Sequence, residues 1–277
     1  MKKWGLSLIL MLWPFCAFSG ETSGYCGPKD SSGNWGTNCT WEYDTQTHTL
    51  TVSGTGTLAG GLGKQTNENG ETIYFNAAPW AEYAQDIKNA VINEGIETIS
   101  GYTFYETTLE HVSIPQSVTV INGQSFQDSR LKEVNLPQNL TSIGHAAFSA
   151  TYIESFVIPA SFRGSATHIF ASLNLKSITI EGNADFTKAM LGGKITKLTD
   201  IYCDTSNENC HNLLSDEQIG SKIKFYEKFG DQYLFKGKFY TSLDDIAGRK
   251  YDRKRIYTID EANAVAGKVN SVKIRYR

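Results

Sequence analysis

The sequence is poor in most of the features that mark a chemistry. Its 277 residues include 3 methionines, 6 prolines and 5 cysteines, and only 20% of them are charged. No stretch approaches the ~20 consecutive apolar residues of a membrane-spanning helix, so no helical anchor is expected in the body of the chain. No HExxH, GxSxG or Walker loop occurs, which leaves no recognised metalloprotease, hydrolase or nucleotide site. The 25 glycines come without low-complexity bias and the hydrophobic fraction is 40%, which excludes collagen, coiled coil and wholesale disorder. A formal charge of −3 does not mark the whole chain as a nucleic-acid binder, and none is expected as a partner. The length suits one elongated domain or two compact ones.

What is present begins with an export signal. Met1-Lys2-Lys3 is a basic start, the apolar run Leu6 to Trp13 is too short to span a bilayer, and Ala17-Phe18-Ser19 offers small residues for cleavage after Ser19. Residues 1–19 are therefore expected to be a signal peptide, and the protein to be exported: periplasmic, extracellular or on the cell surface. Removal of Cys16 leaves Cys26, Cys39, Cys203 and Cys210. Four cysteines allow three pairings, and their positions favour two local bridges, Cys26–Cys39 and Cys203–Cys210. The alternative for the second pair is a metal site with His211; the ligand spacing is poor and an oxidising compartment favours disulfides, so neither metal nor cofactor is expected.

Charge divides the chain. Residues 20–221 carry 10 Lys and Arg against 22 Asp and Glu, and residues 222–277 carry 14 against 7. The basic end either docks on the acidic body, stays solvated, or draws the chain to anionic polymers with weak, salt-sensitive affinity.

The middle of the chain repeats. Phe104, Phe126, Phe148 and Phe170 are each 22 residues apart, as are Pro115, Pro137 and Pro159. The same step relates Ile87, Leu109, Leu131, Ile153 and Leu175; Ile92, Ile114, Leu136, Ile158 and Ile180; Val112, Val134, Phe156 and Ile178; and Ile99, Ile121 and Ile143. Within a unit, Val134 and Leu136 alternate with Glu133 and Asn135, a short strand with one buried face. Pro137 ends it, having no N–H for a ladder. One unit is too small to fold alone. Stacked units form a parallel sheet with the phenylalanines aligned inside.

The pattern V-x-I-P-x-S-V-x-x-I-x-x-x-x-F resembles the BspA-type leucine-rich repeat family of secreted and surface proteins. Gly24 to Gly27, Trp41 to Asp44 and Leu50 to Gly56 are similar to that family's N-terminal cap, and Ala78-Pro79-Trp80, Tyr83 and Ile87-Lys88 to the entry of its first repeat. The resemblance covers about residues 24–203. Two departures stand out: Ser165 occupies an interior isoleucine register, and the period dissolves into Gly192-Gly193 after Ile180. The expected architecture is a repeat solenoid with a parallel β-sheet and irregular return loops, a β-hairpin cap, and a small α+β C-terminal module. Its divisions are a cap over 20–86, repeats over 87–203, a linker over 204–221 and a basic module over 222–277.

In the cap, residues 38–58 read as a hairpin that seals the first repeat with Trp41, Tyr43, Leu50 and Val52, and 59–71 as a flexible loop. In the C-terminal module, Lys222 to Tyr226 and Tyr233 to Tyr240 read as strands, Thr258 with Glu261 as a helix-capping box, and Val272 to Tyr276 as a last strand.

No active site is legible. His111 and Glu133 share a register, which in a sheet more often marks a solvated cross-strand pair than an acid–base couple. Function is expected from shape: the outward strand residues form a concave face of two rows. One row is Asn89, His111, Glu133, Ser155 and Ser177; the other is Val91, Ser113, Asn135, Val157 and Thr179. These small, mostly neutral groups suit a protein or glycan partner, and family resemblance points the same way. The alternatives are a spacer that presents the basic module to an anionic surface and, more remotely, an enzyme whose site follows no known motif.

Overall fold

The cap hairpin continues directly into the repeat sheet, since its second strand, Thr49–Gly54, pairs in parallel with the first repeat strand at Asn89–Ile92. In the computed structural model, which describes residues 22–242 apart from 173, 194 and 230, strand β1 (Ser23–Gly27) pairs antiparallel with β2 (Gly36–Asp44), and β2 with β3 (Thr49–Gly54). Trp41 faces Val52 and Tyr43 faces Leu50 across the hairpin, and all four are buried. Short β4 (Gly56–Leu58) follows. The stretch expected as a loop is a second hairpin, β5 (Leu62–Thr66) with β6 (Thr72–Asn76), closed by Asn67, whose side-chain oxygen accepts from the backbone of Asn69 and Glu71. The polar, Gly-containing tip was legible; the flanking strands, whose residues stay mostly exposed, carried no burial pattern to reveal them.

Beyond the cap the chain coils as a β-solenoid of about six turns. One side is a parallel sheet: β3 pairs with β7 (Asn89–Ile92), and β7 with β9 (His111–Ser113). At the next turn the ladder shrinks to a single bridge between His111 and Glu133. A second side holds β8 (Ile96–Ile99), β10 (Val120–Ile121) and β11 (Ser142–Ile143), stacked in parallel on β4.

The third side is a corner without strands. Tyr102, Gln124, Ala146 and His168 all have positive φ, as do Glu106, Asp128 and Ala150, so Phe104, Phe126 and Phe148 are each flanked on both sides, two residues away, by left-handed backbone, and Phe170 on one side only. This alternation lets Phe104, Phe126 and Phe148 donate their N–H groups to the turn above, to the carbonyls of Ser125, Ala147 and Ile169. Thr107, Ser129 and Thr151, buried and again 22 apart, each donate to the phenylalanine carbonyl three residues before at 2.8–3.0 Å.

The phenylalanine ladder forms as the period predicts, and then changes. Trp80 caps it at 5.7 Å from Phe104; Phe104 to Phe126 is 5.2 Å at 12°, and Phe126 to Phe148 is 5.1 Å at 3°. Phe170 does not stack on Phe148. Phe156 stands between them, 5.3 Å from Phe148 and 4.6 Å from Phe170. This is the turn where Ser165 stands in the isoleucine register, exposed rather than interior.

From there the first sheet resumes in full. β12 (Ser155–Ile158) pairs with β13 (Ser177–Ile180), β13 with β14 (Asp200–Asp204), and, after helix α1 (Glu208–Asn212), β14 pairs with β15 (Ile223–Phe229), all in parallel. β15 turns back antiparallel into β16 (Gln232–Phe235) and β17 (Lys238–Tyr240). The boundary expected at 222 therefore falls inside a continuous sheet: Ile223 and Phe225 stand beside Ile201 and Cys203 and pack on the same core. The expected signal peptide, the Thr258–Glu261 capping box, the strand Val272 to Tyr276 and the cluster Arg249 to Arg255 lie outside the described residues. Among the described residues no helix is long and apolar enough to cross a membrane.

Candidate functional site

Strand alternation puts every second residue of the long sheet outside, and the pairing registers align them in columns. Glu42, Thr51, Val91 and Ser113 form one column at the cap end; Val157, Thr179, Tyr202 and Lys224 continue it at the far end. Beside it run Thr49, Asn89, His111 and Glu133, then Ser155, Ser177 and Asp200.

The ten residues expected on this face do not share one environment. Val91, His111, Ser113, Glu133 and Asn135 are exposed, and Asn89, Ser155 and Val157 half-buried. Ser177 and Thr179 are buried, at 8% and 1% exposure, which corrects the expectation of an open face along its whole length. Thr179 stands beside Tyr202 in its column, where rings of the sheet and of the β15–β17 hairpin gather. Tyr202 and Tyr226 project from the outer side of the sheet, and Phe235 packs edge-on to Tyr202 at 5.4 Å while Tyr233 meets Tyr226 at 5.8 Å. These rings, with Tyr240, make a second apolar cluster separate from the solenoid core. The Tyr226 hydroxyl donates to the Ile180 carbonyl at 2.8 Å, pinning the hairpin to the edge of β13. Burial, and then the Asp204 and Glu181 carboxylates, push the Tyr226 phenol up; burial and then Glu181 do the same to Tyr233.

His111 Nδ1 lies 3.6 Å from Glu133 Oε1, with both side chains more than half exposed, so the pair is solvated, and no third side chain among the described residues hydrogen-bonds to it. One residue earlier in each turn runs a column of alternating sign: Lys88, Glu110, Lys132, Glu154 and Lys176. Lys132 bonds Glu110, and Lys176 reaches Glu154 at 2.8 Å. The Lys132 ammonium holds the Glu110 carboxyl below its usual range. The charges along this edge are thus engaged with one another.

Cys26 is bonded to Cys39 and Cys203 to Cys210. The sulfurs considered for a metal are joined to each other, and His211 instead lies 2.8 Å from the Thr205 carbonyl through Nε2 and stacks on Phe225 at 4.4 Å. Among the described residues no three metal-ligating side chains gather. Of the basic residues expected to reach outward, Lys224 is ion-paired with Asp200 and Lys236 lies over the Phe235 ring. Burial holds the Lys224 ammonium below its usual range.

Sequence reasoning missed Asp200, Tyr202, Lys224 and Tyr226 as members of this face. The signal was present: Ile178-x-Ile180, Ile201-x-Cys203 and Ile223-x-Phe225 repeat the inward strand pair at steps of 23 and then 22.

A family profile described as BspA type leucine rich repeat region matches residues 81–192 in six copies. Among solved structures, the chain is similar to a leucine-rich repeat protein from Eubacterium ventriosum, with 19% identity and a TM-score of 0.50 over 73% of this chain and 47% of that one. A leucine-rich repeat protein from Bacteroides ovatus follows, with 17% identity and a TM-score of 0.38 over 70% and 52%. A leucine rich cell surface protein from Faecalibacterium prausnitzii gives 14% and 0.26 over 63% and 71%. The chain spans about half the length of the first two. No curated protein matches it.

Proposed function

We propose that this chain, whose residues 81–192 are a BspA-type leucine-rich repeat region, is an exported, non-catalytic binding protein that engages an extracellular protein or glycan across the outer face of its long sheet. The observation that carries the reading is the division of labour within each strand. Inward residues such as Ala90, Ile92, Val134 and Leu136 are consumed by the core, while Asn89, His111, Ser113, Glu133 and Asn135 present polar groups to solvent on a rigid backbone. A rigid, ordered array of hydrogen-bonding groups loses little conformational freedom on binding. Two disulfides fit an oxidising compartment. Carriage of a separate basic module is less favoured, because the module's first strands are built into the sheet and its hairpin lies on the face.

The test is binding of the purified chain to arrays of extracellular proteins and of surface glycans. Ser113→Trp fills the open centre of the face without touching the core. Loss of the captured partner in this variant supports the reading. Capture that is indifferent to Ser113→Trp would place the interaction elsewhere and overturn it.

A further inference from the structure

The hairpin of β5 and β6 stands apart from the solenoid sheets as a two-stranded sheet of its own. It springs from the second side of the solenoid, just after β4. At its base the Ala77 N–H donates to the Gly61 carbonyl and the Asn76 side chain to the Tyr105 carbonyl. Beyond that base, Ile73, Tyr74 and Phe75 are 42%, 54% and 41% exposed, so β6 offers a large apolar run to water. We propose that β6 pairs edge to edge with β6 of a second copy of this chain, antiparallel about a two-fold axis at Tyr74. This goes beyond the outer-face reading and does not depend on it.

The ladder within the hairpin shows which backbone groups are free. The bonds from Asn67 N–H to the Glu71 carbonyl and from Ala77 N–H to the Gly61 carbonyl fix the alternation between the strands. Ile73 and Phe75 therefore exchange bonds with Gln65 and Gly63, while Thr72, Tyr74 and Asn76 turn their backbone groups to the outer edge. Among the described residues nothing meets the N–H or C=O of Tyr74. An edge of this kind is a template for another strand, and residues 72–76 carry neither the charge nor the proline that commonly guards one.

A second copy suits this edge because the run is complementary to itself. About Tyr74, the two tyrosines exchange both backbone bonds. Each Ile73 then lies opposite a Phe75 in a close, non-hydrogen-bonded pair. Ile73 and Phe75 share one face of the hairpin, so the pairing joins four apolar side chains that separate copies leave in water. Thr72 comes opposite Asn76, and no like charges meet in this register. The other edge is guarded: β5 paired with itself about Lys64 would set that lysine opposite its own copy, which is unfavourable. A two-fold through β6 thus closes a four-stranded sheet with a lysine on each outer strand, and assembly stops at two.

The test is sedimentation equilibrium of the full chain from low micromolar to near-millimolar concentration. A reversible monomer–dimer equilibrium is expected, with no larger species. Tyr74→Glu should abolish it. Within its own hairpin the new carboxylate faces Lys64, which favours the folded monomer, and across the two-fold it faces itself. An unchanged thermal midpoint checks that this variant is folded. Tyr74→Lys should also stay monomeric, and an equimolar mixture of the two variants should recover dimers, as opposite charges then meet at the axis. Ser113→Trp, on the outer face, should associate like the parent chain. A parent chain that stays monomeric throughout, Tyr74→Glu that dimerises as well as the parent, or a mixture that recovers nothing overturns the proposal.

Discussion

The second and third turns and the turns after Phe156 reach the same buried core by opposite means. In the early turns the long sheet is at its thinnest, down to one bridge at Glu133, while the return side is complete: β8, β10 and β11, the stacked phenylalanines, the left-handed corners. In the later turns the second sheet has ended at β11, yet β12 to β15 pair over four residues at each step. There the return side is held by local devices. Asn207, fully buried, donates to the carbonyls of Gly182 and Ala184 and accepts from Cys210 N at the start of α1, and the Cys203–Cys210 bond ties that helix to β14. The strict period belongs to the return side. The strand side tolerates its loss.

That contrast can be broken most forcefully at Phe148, which joins the two regimes by touching both Phe126 and Phe156. Phe148→Ala is expected to cost about 3–5 kcal/mol, read as the shift in a urea midpoint at unchanged slope. A cost under ~1 kcal/mol would mean the ladder does not bear on stability. Removing the later turns' staple should do less. Cys203→Ala with Cys210→Ala is expected to cost about 2–4 kcal/mol, and hydrogen exchange should rise in β14 and β15 while β7 to β11 stay protected. Uniform loosening of both halves would erase the distinction. The smallest effect sharpens the early regime. Ala150 has φ 56° and is exposed, so Ala150→Gly removes a left-handed penalty of ~1–2 kcal/mol and returns part of it as added freedom of the unfolded chain. A net gain of about 0.5 kcal/mol in thermal stability is expected, and a loss would show that the corner is not strained.

How much of this was legible follows the same division. Phe104, Phe126 and Phe148, the prolines and the interior isoleucines identify the early turns outright, because a return loop with a fixed corner needs the same residue at the same place. Trp41, Tyr43, Leu50 and Val52 were legible as the seal because alternation within one hairpin needs no partner to be recognised. β14 and β15 were obscured by a single extra residue between Ile178 and Ile201, which shifts every register at once, and by a strand side that asks only for I-x-I or its equivalent. The closed end of the face was illegible for a different reason. Tyr202, Tyr226 and Phe235 are apolar on a side where the pattern expects polar groups, and only the fold-back of β16 and β17 explains them. Ser177 and Thr179 look like any outward Ser or Thr until something covers them.

The alternating column Lys88, Glu110, Lys132, Glu154 and Lys176 adds little to stability, since exposed pairs contribute about 0–1 kcal/mol each. Its consequence lies in assembly. Where successive turns are nearly interchangeable, a growing stack can skip one and seat the next in its place with a core almost as good. A skip would set Lys88 beside Lys132 or Glu110 beside Glu154, like charges directly opposite, which is unfavourable. The column therefore acts as a parity check, in which each turn accepts only a neighbour of the other sign. A chain with Lys132→Gln keeps its core but loses the check without setting like charges side by side in the native stack, and the loss should appear in the yield of correctly refolded protein more than in its unfolding midpoint.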